Sequence, residues 1–303
     1  MTDWLVTGGG GMLGRELREA LGAADARVLT RADLDVLDRA RIAETLDLLK
    51  PRVVINLAAD TRVDEAELTP GIGHRVNALA PGYLAAACVR AGAALVHVST
   101  DYVFDGARRT PYGESDPVAP LMRYGRAKAA GEAAALRAGG QVYVVRTCRM
   151  YSRHGPSFVR AIGSLLKERD IGRRDARERD ASGPTAVEVV DSQASAPVWA
   201  PYLASRLIAL GLRQPAPGLY HCTSAGSATL YDFARAIAAE VGADPDRIRP
   251  VGHGSPRYPA RRPAYSVLDN AKWGRAGLPV IPDWRDCLRE AFQQVGVALI
   301  EAS

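Results

Sequence analysis

The chain has 303 residues, of which 47% are hydrophobic and 24% charged, as in a globular protein of about two domains. It contains no apolar run near the ~20 residues of a membrane helix and no recognisable signal peptide, so we expect a cytoplasmic protein with no membrane partner. The net charge of +5 does not predict nucleic-acid binding, because basic and acidic residues nearly cancel in the most charged stretch, 167–180, which also lacks aromatic residues for stacking.

The first half of the chain alternates predicted strands and helices. A short, mainly apolar strand at 4–7 is followed by glycines and then by a helical pattern through Leu13, Leu17 and Leu21. The elements that follow are strands at 26–30, 53–57, 94–99 and 142–146, and helices at 39–50, about 75–91 and 124–136. This alternation predicts an α/β fold with a Rossmann-type, doubly wound parallel sheet.

A glycine-rich segment joins the first strand to the first helix. It fits two spacings, Gly8-x-x-Gly11-x-x-Gly14 and Gly9-x-Gly11-x-x-Gly14. Glycines permit a tight turn and let backbone N–H groups approach a pyrophosphate at the helix N-terminus. A structural turn would also use glycine, but the position in the first strand–helix unit favours dinucleotide binding.

The residues after the second strand favour NADPH. An acid there would bind a ribose 2′-hydroxyl, whereas a cation suits a 2′-phosphate. Arg31 comes first, and Asp33 and Asp35 lie beyond it. We therefore predict NADPH, with NADH as the alternative.

Tyr124 and Lys128 lie four residues apart in a predicted helix, so their side chains share one face. A free phenol has a pKa of about 10, and we expect the nearby ammonium to lower the pKa of Tyr124 towards the range of acid–base catalysis. Thr100, just after a predicted strand, could hold a carbonyl beside the phenol. An isolated pair of this spacing is usually solvated helix surface; the glycine-rich segment upstream favours the catalytic interpretation.

The second half is less regular. Helices are predicted at 203–210, 231–241 and 283–295, while proline and glycine become denser. We predict an NAD(P)-binding domain at 1–150 and a smaller C-terminal part, 151–303, that mainly binds substrate and returns some segments to the Rossmann core. The charged stretch at 167–185 is predicted to be a solvated, mobile excursion, and the sequence assigns it no role.

Cysteines and histidines show no metal-ligand spacing. They are Cys88, Cys148, Cys222, Cys287, His74, His97, His154, His221 and His253. We predict reduced thiols and no zinc site.

Several segments together resemble the dTDP-4-dehydrorhamnose reductases and related nucleotide-sugar 4-ketoreductases, within the extended short-chain dehydrogenase/reductase superfamily. They are Asn56-Leu-Ala-Ala-Asp-Thr-Arg-Val-Asp-Glu-Ala-Glu67, Val76-Asn77, Ser99-Thr-Asp-Tyr-Val-Phe-Asp-Gly106, Pro111-Tyr112, Tyr124-Gly-Arg-Ala-Lys128 and Arg262-Pro-Ala-Tyr-Ser-Val-Leu-Asp269. The resemblance spans nearly the whole chain.

The resemblance implies a role for each matching residue. Thr100, Tyr124 and Lys128 would be catalytic, with Tyr124 and Lys128 also touching the cofactor. Gly11, Met12 and Leu13 would line the pyrophosphate, Asp35 and Val36 the adenine, and Ala59, Asp60 and Thr61 another part of the cofactor, while Asp101 and Tyr102 would touch the sugar. Hydride would pass to C4 of a dTDP-4-keto-6-deoxy sugar, with dTDP-4-dehydrorhamnose as the default, and Tyr124 would protonate the developing alkoxide.

Two positions depart from the family pattern. Arg149 stands where the family usually has a tryptophan near the sugar, and Asp60 stands at a commonly aromatic position. One interpretation is a compensating surface pair between these two residues. The other is an altered substrate, such as an amino sugar or branched sugar of an antibiotic or other secondary-metabolite pathway, for which Arg149 would be a substrate contact.

A magnesium ion bound by some relatives at a dimer interface is not expected in this chain. Glu16 and Glu290 match two of its ligand positions, but the third is Pro201. The resemblance implies a monomer or a homodimer.

Three other functions within this fold stay open to different degrees. A dehydratase usually follows its threonine with Asp-Glu, whereas Tyr102 follows Asp101 here. An epimerase would recycle a bound cofactor instead of consuming it. A non-catalytic regulatory subunit, such as that of methionine adenosyltransferase, would have no need of Thr100, Tyr124 and Lys128 together.

Overall fold

Short apolar runs form the strands of the central sheet in the computed structural model, which describes residues 2–69, 71–175, 186–252 and 259–301. The strands are β1 Trp4–Thr7, β2 Ala26–Leu29, β3 Val53–Asn56, β4 Ala94–Thr100, β5 Val142–Thr147, β6 Met150–Tyr151, β7 Val187–Val190, β8 Ala194–Ser195, β9 Val198–Trp199, β10 Gly218–His221, β11 Ser224–Ala225, β12 Ala228–Thr229, β13 Ile248–Val251 and β14 Ile281–Asp283. Every residue of β1, β3 and β5 is buried, as expected for strands covered on both faces.

The helices are α1 Met12–Leu21, α2 Arg39–Leu49, α3 Val63–Leu68, α4 Ile72–Ala78, α5 Ala80–Ala91, α6 Arg123–Leu136, α7 Phe158–Asp175, α8 Ala200–Arg213, α9 Leu230–Glu240, α10 Ala271–Arg275 and α11 Trp284–Val295. Within the described ranges, no helix is long and apolar enough to cross a membrane.

The main sheet has six parallel strands in the order β10-β5-β4-β3-β1-β2. From β1 the chain moves outward to β2, and it then crosses to β3 on the other side of β1. The strand order therefore reverses between β1 and β3, and the carboxyl ends of these two strands border the crevice where doubly wound sheets bind ligands. The predicted α/β fold with a parallel, doubly wound sheet is confirmed.

Successive side chains of each strand point to opposite faces of the sheet and so contribute to two separate apolar cores. Trp4 and Val6 pack with α1 and α8 on one face, and Leu5 and Val54 pack with α2 and α5 on the other. In α8, a Cβ on Gly211 would lie 2.7 Å from the Trp4 ring, so glycine allows this helix to lie close against the sheet. Segments from the second half, α8 and β10, thus complete the Rossmann core.

Two predicted elements differ from the structure. The helix predicted at about 75–91 is two helices, α4 and α5, because Pro81 at the start of α5 lacks an N–H and cannot continue the preceding helix. The charged stretch predicted as an excursion from residue 167 instead continues α7 to Asp175, and residues 176–185 lie outside the described ranges.

Candidate active site

Three glycines of the turn after β1 have no room for a side chain. Gly8 has φ +76°, and a Cβ there would lie 2.7 Å from the Ala58 nitrogen. A Cβ on Gly14 would lie 2.5 Å from the Gly8 oxygen, and one on Gly9 would lie 2.6 Å from Val28. These contacts hold the turn against β2 and the loop after β3, so the glycines are needed for the fold of the turn itself.

Gly11 has a different environment, since a Cβ there would meet only the Gly8 oxygen at 3.4 Å. It is the exposed N-cap of α1 and has no capping side chain, and the first turn of α1, which includes Met12 and Leu13, contains no acidic residue. The first N–H groups of a helix lack acceptors within the helix, and the helix dipole favours an anion at this end. The turn therefore fits the pyrophosphate of a dinucleotide.

The residues after β2 present one cation to solvent. The pKa of Asp60 is lowered, mainly by a hydrogen bond from Arg62. Arg31 is exposed, and its charge adds a smaller lowering of the same pKa. Asp35 is exposed and accepts a hydrogen bond from Leu37 N, whereas Val36 is buried in the core beside α2. Arg31 therefore lies on the same side of the sheet's edge as the loop after β3.

A chain of buried hydrogen bonds links β1, β3 and β4 near the crevice where the strand order reverses. The Thr7 hydroxyl donates to Asn56 Oδ1 at 2.7 Å, and the Asn56 amide donates to His97 Nδ1 at 3.0 Å. Asn56 Oδ1 also accepts from Ala58 N at 3.1 Å. These bonds fix the loop containing Ala59, Asp60 and Thr61 relative to the glycine turn.

Tyr124 is the second residue of α6 and is 9% exposed. Its ring lies edge-on to Tyr102, 6.4 Å between centroids, and Ala260 and Met122 pack in the same cluster. Burial raises the pKa of Tyr124, the charge of Asp101 raises it further, and a hydrogen bond with Thr100 acts in the opposite direction. The expected lowering of the Tyr124 pKa is therefore wrong, because burial outweighs any stabilisation of the phenolate.

Lys128 is 2% exposed, and its amine donates to the Val98 carbonyl at 2.7 Å. Burial lowers the pKa of Lys128 to about 8, while the charge of Glu132 one turn later opposes that shift. Glu132 is itself held by Arg146, with 2.7 Å between Oε2 and Nη2. The lysine is thus fixed against the end of β4, on the same helix as Tyr124.

Asp101 follows Thr100 at the carboxyl end of β4 and is 3% exposed. It accepts hydrogen bonds from the hydroxyls of Ser266 and Thr100, the latter at 3.1 Å. Burial raises the pKa of Asp101 to about 6, although Ser266 and the charge of Arg149 both oppose the shift. Sequence reasoning did not assign Ser266 a role, although it lies within the Arg262–Asp269 segment that carries the family resemblance.

Arg149 lies in the turn between β5 and β6, and its Nη2 donates to the Tyr102 hydroxyl at 3.3 Å. The guanidinium carbon also lies 5.5 Å from the centre of the Phe158 ring. The structure therefore brings Arg149 close to Asp101 and Tyr102, and its role as a substrate contact stays a prediction.

Asp60 and Arg149 do not form a pair. Both oxygens of Asp60 accept from Arg62, at 3.0 Å from Nε and 2.6 Å from Nη2. The interpretation of Asp60 and Arg149 as mutual partners is wrong, because Arg62, two residues after Asp60, satisfies that carboxylate locally. Sequence spacing could have shown this, since an arginine at i+2 in a loop is within reach.

The segment after residue 259 closes over Tyr124 and Tyr102. The Arg262 guanidinium binds both oxygens of Asp64, at 2.6 and 3.1 Å, and Ala260 N donates to the same carboxylate. Asp64 lies on α3, a helix that the sequence did not predict. Two strings that carry the family resemblance are therefore joined here by an ion pair between distant parts of the chain.

The residues considered for magnesium have other partners. Glu290 accepts from Tyr202 and Gln294. Glu16 lies near Glu19 and His154, and one ligand atom from each of the three lies within 4.8 Å of the others. Sequence spacing gave no sign of this group, in which Glu19 also pairs with Arg153.

The chain is similar to known proteins over nearly its whole length. Residues 2–297 match the family described as RmlD substrate binding domain. The chain is 43% identical to a probable dTDP-4,6-dihydroxy-2-methyloxan-3-one 4-ketoreductase of Streptomyces antibioticus, covering 96% of this chain and 95% of that protein. It is 42% identical to a dTDP-4-dehydrorhamnose reductase of Streptomyces griseus, covering 95% and 92%. Among solved structures, a dTDP-4-dehydrorhamnose reductase from Bacillus anthracis in complex with NADP is similar with a TM-score of 0.86 and 27% identity, covering 97% of this chain and all of that one.

Proposed function

The chain belongs to the dTDP-4-dehydrorhamnose reductase family of NADP-dependent oxidoreductases, and we propose that it reduces the C4 ketone of a dTDP-4-keto-6-deoxyhexose with NADPH. The default reaction converts dTDP-4-dehydrorhamnose into dTDP-L-rhamnose. The observation that carries the proposal is the meeting of Thr100, Tyr124 and Lys128 at the carboxyl end of β4. The same edge of the sheet holds a glycine turn that fits a dinucleotide.

The cofactor, when bound, supplies the hydride. Its pyrophosphate would be held at Gly8 to Gly14 and its adenine end near Asp35 and Val36, with Arg31 available to a 2′-phosphate. The loop 59–61 and the amine of Lys128 would line its remaining length.

Tyr124 then acts as proton donor to the oxygen of the reacting carbonyl. Because burial raises the pKa of Tyr124, the phenol keeps its proton at neutral pH, which is the form that a donor needs. Thr100 would orient the same oxygen through its hydroxyl, and the fixed ammonium of Lys128 would stabilise the negative charge left on the phenol. Asp101, Tyr102 and Arg149 would contact the sugar, and the second half of the chain, 151–303, would mainly bind the rest of the substrate.

A second candidate function is the reduction of an unusual 4-keto sugar, for an antibiotic or another secondary metabolite. The observation that favours it is Arg149, a cation in the predicted sugar pocket. The similarity to the probable 4-ketoreductase of Streptomyces antibioticus also supports this second candidate function. A purely regulatory role has less support, since all three candidate catalytic residues are retained and brought together.

An NADPH-oxidation assay against a panel of dTDP-4-keto-6-deoxy sugars tests the proposal, with the C4 configuration of each product read by NMR. We expect stoichiometric NADPH consumption with at least one sugar. Interconversion of sugars without net NADPH consumption would identify an epimerase instead. Binding of NADPH and sugar without any turnover would support the regulatory alternative.

A further inference from the structure

Arg149 is a half-buried cation without a carboxylate partner in the described part of the chain. The one hydrogen bond of its side chain there is the long contact from Nη2 to the neutral Tyr102 hydroxyl, and its Nε is shielded from solvent with no acceptor. Partly burying an arginine without satisfying its donors is unfavourable, and most such groups in proteins are paired. Two nearby arginines differ, because Arg62 binds Asp60 and Arg262 binds Asp64, each through both carboxylate oxygens.

The groups around Arg149 define what it can still bind. Asp101, on the adjacent end of β4, attracts it electrostatically, but that carboxylate already accepts from Ser266 and Thr100. On the other side, the Phe158 ring stacks near the guanidinium. Arg262 lies beside the same Tyr102 hydroxyl, but its charge is balanced by Asp64, so Arg149 remains the cation of this part of the pocket without a carboxylate partner among the described residues.

A ligand that satisfies Arg149 must therefore offer an acceptor atom. Guanidinium N–H groups donate only, and they bind hydroxyl, carbonyl or anionic oxygens. A protonated amine has no lone pair to accept with, and it would be repelled by the guanidinium of Arg149. A methyl or deoxy position would leave the donors unsatisfied.

Resting on the proposed function, we propose that Arg149 is a specificity-determining residue that donates a hydrogen bond to a ring-substituent oxygen of the sugar. The substrate class is then a dTDP-4-keto-6-deoxyhexose that keeps a hydroxyl at C2 or C3. Sugars with an amino group at that position are rejected. This narrows the second candidate function, since it removes amino sugars from it.

The test compares kcat/KM for four dTDP-4-keto-6-deoxy sugars, namely one hydroxylated at C2 and C3, its 2-deoxy analogue, its 3-deoxy analogue and its 3-amino analogue. A hydrogen bond to a charged donor is worth about 10- to 100-fold in such a ratio. The wild type should prefer the hydroxylated sugar over one deoxy analogue and over the amino sugar by roughly that factor. Arg149→Met should abolish most of this preference, mainly by lowering kcat/KM for the hydroxylated sugar.

Two further variants keep the test decisive. Arg149→Lys retains the positive charge without the guanidinium fork, so it should still reject the amino sugar while losing part of the preference for the hydroxyl; it also serves if Arg149→Met fails to fold. Arg289→Met, an exposed arginine on α11, should behave as wild type. Equal ratios in wild type and Arg149→Met, or efficient turnover of the amino sugar by the wild type, would overturn the inference. If the wild type failed to oxidise NADPH with every 4-keto sugar tested, that result would instead refute the proposed function.

Discussion

The glycine turn after β1 and the polar cluster at the ends of β4 and β5 are built by different means. In the turn, the constraints are contacts of the backbone, since Gly8 and Gly14 lie where any Cβ would overlap a neighbouring peptide. In the polar cluster, which comprises Thr100, Asp101, Tyr102, Arg149 and Ser266, the constraints are side-chain hydrogen bonds and charges between distant parts of the chain. The turn is local in sequence, whereas the cluster brings together residues up to 165 positions apart.

This difference predicts how each region responds to mutation. A backbone-defined site tolerates or refuses a substitution according to the space at each position. A side-chain cluster responds according to which charge or donor is removed, and it can change specificity without loss of the fold. Substitutions in the cofactor half should therefore affect folding and cofactor binding, whereas substitutions in the sugar half should be able to change substrate specificity.

The largest effect is expected from one oxygen atom at the edge of the polar cluster. Tyr124→Phe should lower kcat by about 10²- to 10⁴-fold, because the proton donor is lost while the ring still fills its site. NADPH affinity should change little, as measured by fluorescence titration. Tyr83→Phe is a matched control, since that ring lies on α5 below the Arg39 guanidinium and should leave turnover unchanged. Retained turnover in Tyr124→Phe would remove the tyrosine from the proposed mechanism.

The backbone region should respond to the position of a single methyl group. Gly14→Ala places a Cβ within 2.6 Å of both the Gly8 oxygen and Gly9 Cα, so we expect a loss of about 1–3 kcal/mol in the free energy of unfolding. We also expect weaker NADPH binding. Gly10→Ala is the control, because its Cβ would meet only the Thr30 methyl at 3.9 Å. Urea unfolding with and without NADPH measures both effects. Equal losses in the free energy of unfolding in the two variants would contradict the claim that Gly14 lacks room for a Cβ and Gly10 has it.

The sequence predicted most of the turn and only part of the cluster, for the same physical reason. Strand, glycines and helix follow one another within residues 4–21, and their pattern carries the fold directly. The contacts of Ser266 with Asp101 and of Arg262 with Asp64 depend on tertiary packing, which local periodicity does not encode. The pKa of Tyr124 could not be predicted either, since burial by α6, Met122 and Ala260 decides its direction.

Because of Asp101, the free energy of unfolding of the protein should depend on pH. Its pKa is raised from 3.8 in the unfolded chain to about 6 in the folded protein, so the folded state binds the proton more tightly. The contribution of Asp101 to the free energy of unfolding is therefore full below pH 4 and is lost as pH rises through 6. The full change is about 3 kcal/mol by the linkage relation.

Asp101→Asn removes this dependence. Relative to the variant, the wild type should lose about 2.5 kcal/mol between pH 4 and pH 7, measured by urea unfolding at both values. Asp47→Asn, at an exposed position of α2, should run parallel to the wild type. A wild type and an Asp101→Asn variant with the same pH dependence would show that the buried carboxyl is not what titrates in this window.

The smallest effect is expected at Asp60, and it separates the two departures from the family pattern. Arg62 satisfies the Asp60 carboxylate but has a side chain that is 59% exposed, and exposed ion pairs contribute about 0–1 kcal/mol. Arg62→Gln should therefore change stability by less than about 1 kcal/mol and leave the ratio of kcat/KM among the 4-keto sugars unaltered. Arg149→Met should shift that ratio, because the cation that it removes lacks a carboxylate partner in the described chain. If Arg62→Gln altered sugar preference as strongly as Arg149→Met, the part of the pocket that sets substrate specificity would extend to the loop after β3, and the division between a cofactor half and a sugar half would fail.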